Sequence, residues 1–116
     1  MSEVTALENQ LANVKELIER RRQALRLADN ADFRKLILDG FCKEEAARYV
    51  QASCDPALQA NERADALAMA QASGHLRRFL SVIVQMGNAA EGQIRDLEDA
   101  IDEARAEEDA AEGDDA

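Results

Sequence analysis

Two long stretches of this chain place apolar or small residues alternately three and four positions apart. This is the spacing of a helix that packs along another helix. The stretches predict helices over residues 3–28 and 61–104, and no proline interrupts either one. The first stripe comprises Val4, Leu7, Leu11, Val14, Ile18, Arg21, Leu25 and Ala28, and the second comprises Ala66, Met69, Ser73, Leu76, Leu80, Ile83, Gly87, Ala90, Ile94, Leu97, Ile101 and Ala104.

The two predicted helices need partners because each has a long apolar stripe, which in the first helix is interrupted by Arg21. At about 1.5 Å per residue, a helix over 61–104 would be about 65 Å long, which exceeds a compact globule of this size. We therefore predict that residues 3–28 and 88–104 pair as an antiparallel coiled coil, a helical hairpin that forms a stalk. The spacing does not decide whether this pairing is within one chain or between chains.

The region between the two stripes predicts two short helices, at about 31–39 and 43–54. Asn30 or Asp32 can cap the first of them, and Gly40 is suited to the left-handed residue that ends many helices. Asp55-Pro56 marks the next boundary, because proline favours the first turn of a new helix.

Residues 76–86 are apolar on two sides, which indicates burial by more than one neighbour. We predict that the short helices pack there, so that residues 30–86 form a small helical head on the middle of the long C-terminal helix. The predicted domain is 1–105, followed by a mobile acidic tail, 106–116. The candidate head core is Phe33, Leu36, Ile37, Phe41, Val50, Leu76, Phe79, Leu80 and Ile83.

Three glycines in the second predicted helix, Gly74, Gly87 and Gly92, indicate close approach of two helices, a bend, or contact with another subunit, because each glycine weakens a helix by about 1 kcal/mol. The candidate packing or interface residues are Leu7, Leu11, Val14, Ile18, Gly74, Gly87, Ala90, Ile94, Leu97 and Ile101.

Composition supports an all-α fold, because helix-forming residues dominate and only 3% of residues are aromatic. The net charge of −10 lies in the last quarter of the chain, where residues 91–116 carry two basic and twelve acidic side chains. Such a block is typical of a solvated helix end or tail. There is no long apolar run, and residues 1–20 are rich in charge, so we expect neither a membrane span nor a signal peptide.

The residues capable of chemistry are few. His75 is the only histidine, and Cys42 and Cys54 are too far apart for a zinc motif and are expected to be buried, reduced thiols. No phosphate-binding loop or hydrolase motif is present. We therefore predict no catalytic residues, no metal, no cofactor, no small-molecule substrate and no enzyme activity.

The arginines at 20–22 and 26, with Arg34 and Lys35, form the one basic cluster. Nucleic acid could bind there, but no aromatic residues or recognition-helix pattern accompany the cluster, so we do not expect a nucleic-acid partner. Arginines near a helix C-terminus complement its dipole, and in an antiparallel pair they could also meet Glu91 or neighbouring acidic groups.

The segments ADFRKLILDGFCKEEAARYVQASCDP, 31–56, and HLRRFLSVIVQMG, 75–87, followed by an acidic helix, resemble a small all-helical protein that recurs in tailed-bacteriophage genomes. The resemblance covers about residues 5–104 and rests on packing and capping positions such as Phe33, Gly40 and Pro56. It implies a phage structural or assembly protein that reaches the virion from the host cytoplasm, with other virion proteins or copies of itself as partners. The alternative is an acidic inhibitor or DNA mimic, in which residues 96–115 occupy a basic site on a host protein.

Overall fold

The computed structural model describes residues 2–114, the last of them by its backbone alone, and this range is helical without a strand. The all-α prediction is therefore confirmed. The elements in chain order are α1 (Glu3–Asp29), α2 (Ala31–Phe33), the π-helix π1 (Arg34–Glu45), α3 (Ala46–Ser53), α4 (Ala60–Glu91) and α5 (Ile94–Asp114).

Short polar side chains set where the helices begin. The hydroxyl of Ser2 accepts a hydrogen bond from the Thr5 N–H at 3.1 Å, and the side chain of Asn30 accepts one from the Phe33 N–H at 2.9 Å. Each satisfies a backbone donor that has no partner within the first helical turn. Between α3 and α4, a carboxylate oxygen of Asp55 accepts from the Ala57 N–H at 2.9 Å and so closes the turn before α4.

The structure corrects the prediction of two short helices separated by a turn at Gly40. Residues 31–53 are helical without interruption, and residues 34–45 within them form a π-helix. No glycine in the described range has a positive φ, so Gly40 does not end a helix. A Cβ at Gly40 would stand 3.0 Å from the Lys35 carbonyl oxygen, so glycine allows the close turn at this point.

The wider turn of π1 explains which of its side chains face inward. A π-helix bonds residues five apart, so side chains on one face recur every four or five positions rather than every three or four. Phe33, Leu38, Cys42 and Ala46 follow these steps and are buried or partly buried. Leu36, which α-helical spacing assigns to the core, is instead 68% exposed.

A second correction concerns the predicted helix over 61–104, which is two helices joined at Gly92-Gln93. The Gln93 N–H donates to the Ala90 carbonyl at 3.0 Å, a short-range bond that tightens the turn. Gly92 lowers the helix propensity at this position. Ala90, Ile94 and Leu97 keep steps of four and three across the junction, so the apolar pattern gives no sign of it. Helix α5 then continues to Asp114, so residues 106–114 are helical; the mobility of the tail stays a prediction.

The described chain divides into two compact units. Unit 1 comprises residues 2–22 and 84–114, and unit 2 comprises residues 23–83. The predicted division into a stalk and a head, with different bounds, stays a prediction.

Unit 1 has its core between α1 and the end of the chain. Val14, Ala90 and Leu97 form the buried cluster, and the partly buried side chains packed against it are Leu7, Leu11, Leu17, Ile18 and Ile94. Glu8, near the start of α1, pairs with Arg105, and Arg21, nearer its end, pairs with Glu91. Later residues of α1 therefore contact earlier residues of the C-terminal helices, so the packing in unit 1 is antiparallel.

Unit 2 packs π1 and α3 along the first part of α4. The Cys42 thiol donates to the Ser73 carbonyl oxygen at 3.7 Å, and further along, Tyr49 and Ala52 line a hollow shared with Ala66. Residues later in π1 and α3 thus lie beside residues earlier in α4, so π1 and α3 are antiparallel to α4.

Candidate interaction surface

The packing residues predicted from the first and second stripes lie mainly in unit 1. Those that are buried are Val14, Gly87, Ala90, Leu97 and Ile101, and those that are partly buried are Leu7, Leu11, Ile18 and Ile94. Gly74 belongs to unit 2 and is exposed, and a Cβ added there would have no atom within 4 Å. The described contacts therefore explain the small residue at Gly87 but not the one at Gly74.

Arg21, which interrupts the apolar stripe of α1, is the principal polar contact of unit 1. Its Nη1 donates to Asn88 Oδ1 at 2.8 Å and to Glu91 Oε2 at 2.6 Å. The aliphatic part of the same side chain lies over Gly87. The sequence names Glu91 or a neighbouring acidic group as a partner for the arginine cluster as a whole, and it does not indicate the role of Asn88. An arginine opposite a glycine in two predicted partner stripes is the signal that could have revealed this contact.

The neighbouring Arg22 makes only a local contact. It donates to both carboxylate oxygens of Glu19, three residues earlier on α1, at 2.9 and 2.5 Å. These hydrogen bonds and the negative charge of Glu19 raise the pKa of the guanidinium above its ordinary value. This ion pair lies within α1.

The interior of unit 2 is made of small side chains. Its buried residues are Ala24, Cys42, Ala66 and Ser73, and no side chain in the described range is fully buried. The Ser73 hydroxyl donates to the Ala70 carbonyl oxygen at 2.7 Å, so this buried polar group is satisfied within its own helix. The buried positions of unit 2 are therefore taken by small residues, and its larger apolar side chains are partly buried or exposed.

Large apolar side chains are accordingly exposed on unit 2. They are Leu25, Leu27, Leu36, Val50, Leu67, Met69 and Phe79. Leu36, Val50 and Phe79 were predicted to belong to the head core, and in the single chain they do not. The other six residues of that prediction are partly buried: Phe33, Ile37, Phe41, Leu76, Leu80 and Ile83.

Leu36 and Phe79 are the two most exposed of these side chains, at 68% and 55%. Leu36 lies six residues before Cys42, and Phe79 lies six residues after Ser73, the residue that Cys42 contacts. Because π1 is antiparallel to α4, positions equally far from a contact pair lie at about the same level of the two helices. The two side chains are therefore at one level of unit 2.

A shallow surface hollow of 510 Å³ adjoins Leu36 on π1. Phe41 and Gly40 contribute to its lining, together with charged side chains of both signs, Lys35, Asp39, Glu44 and Glu45. Asp39 forms an ion pair with Lys43 at 3.5 Å on the same helix. The lining of this hollow is therefore mainly charged, with Leu36 and Phe41 as its large apolar side chains.

The residues capable of chemistry remain scattered. His75 is exposed, and both cysteines are free, with Cys42 buried but Cys54 exposed, which corrects the expectation that both thiols are buried. Within residues 2–114, no three histidine, cysteine or acidic side chains are placed to hold a metal ion.

Helix α5 presents acidic side chains to solvent along its length. The exposed ones are Asp96, Glu98, Asp99, Asp102, Glu103, Glu107, Glu108, Asp109 and Glu112. The basic residues of this helix are Arg95 and Arg105, of which Arg105 pairs with Glu8 at 2.5 Å. The outer surface of α5 is therefore strongly negative.

Comparisons of the chain with models of known families, with curated proteins and with solved structures found no match. Among the described helices, none is both long enough and apolar enough to cross a membrane.

Proposed function

We propose that this chain is a non-enzymatic structural or assembly protein of a tailed bacteriophage, which acts through helix-mediated contacts with other proteins and becomes part of the virion. The observation that carries the proposal is the apolar surface of unit 2. Seven large apolar side chains are exposed there, whereas every buried residue of the unit is small. Such side chains contribute to a contact with another protein where they lie side by side. The resemblance of residues 31–56 and 75–87 to a recurrent phage protein supplies the biological setting.

We also propose the finer architecture, in which the terminal helices form an antiparallel coiled-coil hairpin. The contacts Glu8–Arg105 and Arg21–Glu91 within one chain support it. A carbodiimide reagent, which joins a carboxylate to an amine, tests it in the Arg105→Lys variant. We expect a linkage between positions 8 and 105 in protein of monomer mass. The matched control is the Glu8→Gln, Arg105→Lys double variant, which keeps the amine but lacks the carboxylate and should form no such linkage. If the Arg105→Lys variant formed the linkage between positions 8 and 105 only in protein of dimer mass, pairing within one chain would be contradicted.

The functional proposal is tested in the phage whose genome encodes the chain. Particles and assembly intermediates are purified by density gradient, and the chain is quantified by mass spectrometry relative to the major capsid protein. We expect a fixed number of copies per particle. A protein that is abundant in infected cells but absent from particles and intermediates would contradict the proposal.

The acidic surface of α5 favours a second candidate, an inhibitor that imitates DNA at a basic site of a host protein. Nine acidic side chains of this helix are exposed. Deletion of residues 106–116 separates the two candidates. The inhibitor requires that surface and loses its function, whereas an assembly protein that works through unit 2 keeps most of its incorporation into particles. Circular dichroism and expression level of the shortened chain serve as controls, since both should match those of the full chain apart from the removed turns.

A further inference from the structure

We propose that the hollow between α3 and α4 in unit 2 is a docking site for an arginine side chain of a partner protein. The aliphatic part of the arginine enters the hollow, and its guanidinium meets two carboxylates at the rim. The inference deepens the proposed function and rests on it, since it names the chemistry that another protein presents to a chain that works by contact.

The hollow combines apolar walls with an acidic rim. Its apolar lining includes Tyr49, Leu58, Ala66 and Met69, and its charged lining consists of Glu62 and Asp65. The volume of 340 Å³ lies at the lower end of the range for ligand pockets, about 300–1,000 Å³, so the hollow admits one side chain rather than a cofactor. The hollow beside Leu36, by contrast, is lined by charges of both signs. Apolar walls with carboxylates at the rim select an occupant that has an apolar stem and a positive end.

The two carboxylates at the rim are available to a cation. They are three residues apart on α4, so they lie on one side of that helix. Glu62 accepts a hydrogen bond from the Gln59 N–H at 3.2 Å through one oxygen, whereas the Asp65 carboxylate has no hydrogen bond or ion pair within residues 2–114. Arg63, the basic residue between them in the sequence, donates instead to the Leu58 carbonyl oxygen. No basic side chain of the described chain therefore lines the hollow.

Arginine fits this lining better than other cations do. A guanidinium binds carboxylates through several donors and also stacks on aromatic rings, and Tyr49 supplies a ring in the wall of the hollow. Lysine carries a compact charge that is more strongly hydrated. Within residues 2–114, no three acidic, histidine or cysteine side chains are placed to hold a metal ion. Because the hollow is open on one side, it covers a free small cation only in part, which favours a side chain that a larger partner holds in place.

Tyr49 is a local reporter of the hollow. It is the only tyrosine of a chain without tryptophan, so the intrinsic fluorescence of the full chain comes from this position. The probe is the capped tripeptide Ala-Arg-Ala, and its matched control carries citrulline, which keeps the shape of arginine without the charge. We expect a saturable change in tyrosine emission with a Kd of about 1 mM for the arginine peptide, and a Kd about tenfold higher for the citrulline peptide. Equal binding of the two peptides, or no saturable change up to about 20 mM, would overturn the proposal.

A pair of variants assigns the binding to this hollow. Asp65→Asn removes one rim charge with little change of shape, and we expect it to raise the Kd of the arginine peptide about fivefold, the effect of losing one exposed ion pair. The matched control is Asp96→Asn, which removes the same charge at an exposed position of α5. Circular dichroism verifies that both variants are folded.

Three results would overturn the assignment. The first is a Kd that Asp65→Asn leaves unchanged, and the second is an equal rise in both variants, since the peptide would then respond to the overall negative charge of the chain. The third comes from sedimentation of the full chain alone. If the chain self-associates and Asp65→Asn abolishes the association, the occupant is a second copy rather than a different protein.

These outcomes are separable from the test of function. A chain that binds the arginine peptide through the hollow but is absent from particles and their intermediates would retain the docking site and contradict the virion proposal. A fixed copy number in particles without binding of the arginine peptide would do the reverse.

Discussion

Arg21 lies directly over Gly87, and the two residues form a tight contact between α1 and α4 in unit 1. A Cβ built on Gly87 would stand 2.8 Å from Cδ and 2.9 Å from Cγ of Arg21, and closer still to its Cβ. Because the Arg21 Cβ is attached to the backbone of α1, it cannot move aside without moving the helix. The arginine extends from this point to Asn88 and Glu91, so a steric and a polar contact share one site.

Gly87→Ala is therefore expected to destabilise the protein. Alanine improves helix propensity by about 1 kcal/mol, but forcing an extra group into a packed site costs about 1–3 kcal/mol. We expect the second effect to prevail here, with a net loss of about 1–2 kcal/mol in the free energy of unfolding. Urea denaturation followed by circular dichroism measures it, at one fixed protein concentration because association also affects stability.

Gly74→Ala is the matched control and should have the opposite sign. Gly74 lies in the same helix but is exposed, with no atom within 4 Å of an added Cβ. Only the gain in helix propensity remains, so we expect stabilisation of about 0.5–1 kcal/mol. Destabilisation by Gly74→Ala would indicate that another molecule lies against this glycine.

Gly40→Ala tests the π-helix. An added Cβ would stand 3.0 Å from the Lys35 carbonyl oxygen, which is backbone and must shift by a few tenths of an ångström. We expect this strain to exceed the gain in helix propensity and to lower stability by about 1 kcal/mol. The measurement is the urea midpoint, compared with that of Gly74→Ala. Equal stabilisation by the two substitutions would contradict the π geometry at this turn.

Arg21→Ala should destabilise unit 1 more than removal of the adjacent arginine. The Arg21 side chain is only 17% exposed, and it combines aliphatic packing with hydrogen bonds to two acceptors. We expect a loss of about 1–2 kcal/mol, reduced from the value for a buried pair because Glu91 is 65% exposed.

Two further variants separate the packing contribution of Arg21 to stability from its polar contribution. Arg21→Met retains most of the aliphatic stem, so it should recover the packing part while still lacking the polar part. Arg22→Ala should leave the urea midpoint unchanged, because Arg22 pairs only with Glu19 on its own helix. If Arg22→Ala and Arg21→Ala had equal effects, the contact between α1 and α4 would not be the cause.

The two cysteines should react at very different rates with a thiol reagent. Cys54 is exposed and is expected to be modified immediately, whereas Cys42 is buried against Ser73 and should react only when unit 2 opens. Mass spectrometry after timed labelling distinguishes the two sites, and Cys54→Ser should leave a single slow thiol. Equal rates for both cysteines would show that Cys42 is not protected in solution.

Much of unit 1 could be predicted from the sequence, because its packing follows a regular period. Steps of three and four along the chain are enough to identify Val14, Ala90 and Leu97, and these three form the buried cluster. The helical class follows as directly from composition. In a regular helix the position in the sequence determines the direction of the side chain, so the pattern alone assigns the inward face.

Unit 2 could not be predicted in the same way, because its helix does not keep one period. Leu36 lies inward by α-helical spacing and outward in π1, and only the tertiary packing of Cys42 against Ser73 reveals which spacing applies. The junction between α4 and α5 at Gly92 could not be predicted from the apolar pattern either, because the steps of three and four continue across it although the helix is interrupted. The sequence by itself thus determined which residue types are available for a core. Only the tertiary structure decided that small residues take its buried positions, that Phe41 and Leu80 are partly buried and that Leu36 and Phe79 are exposed, because the burial of a side chain depends on which face of its helix meets a neighbour.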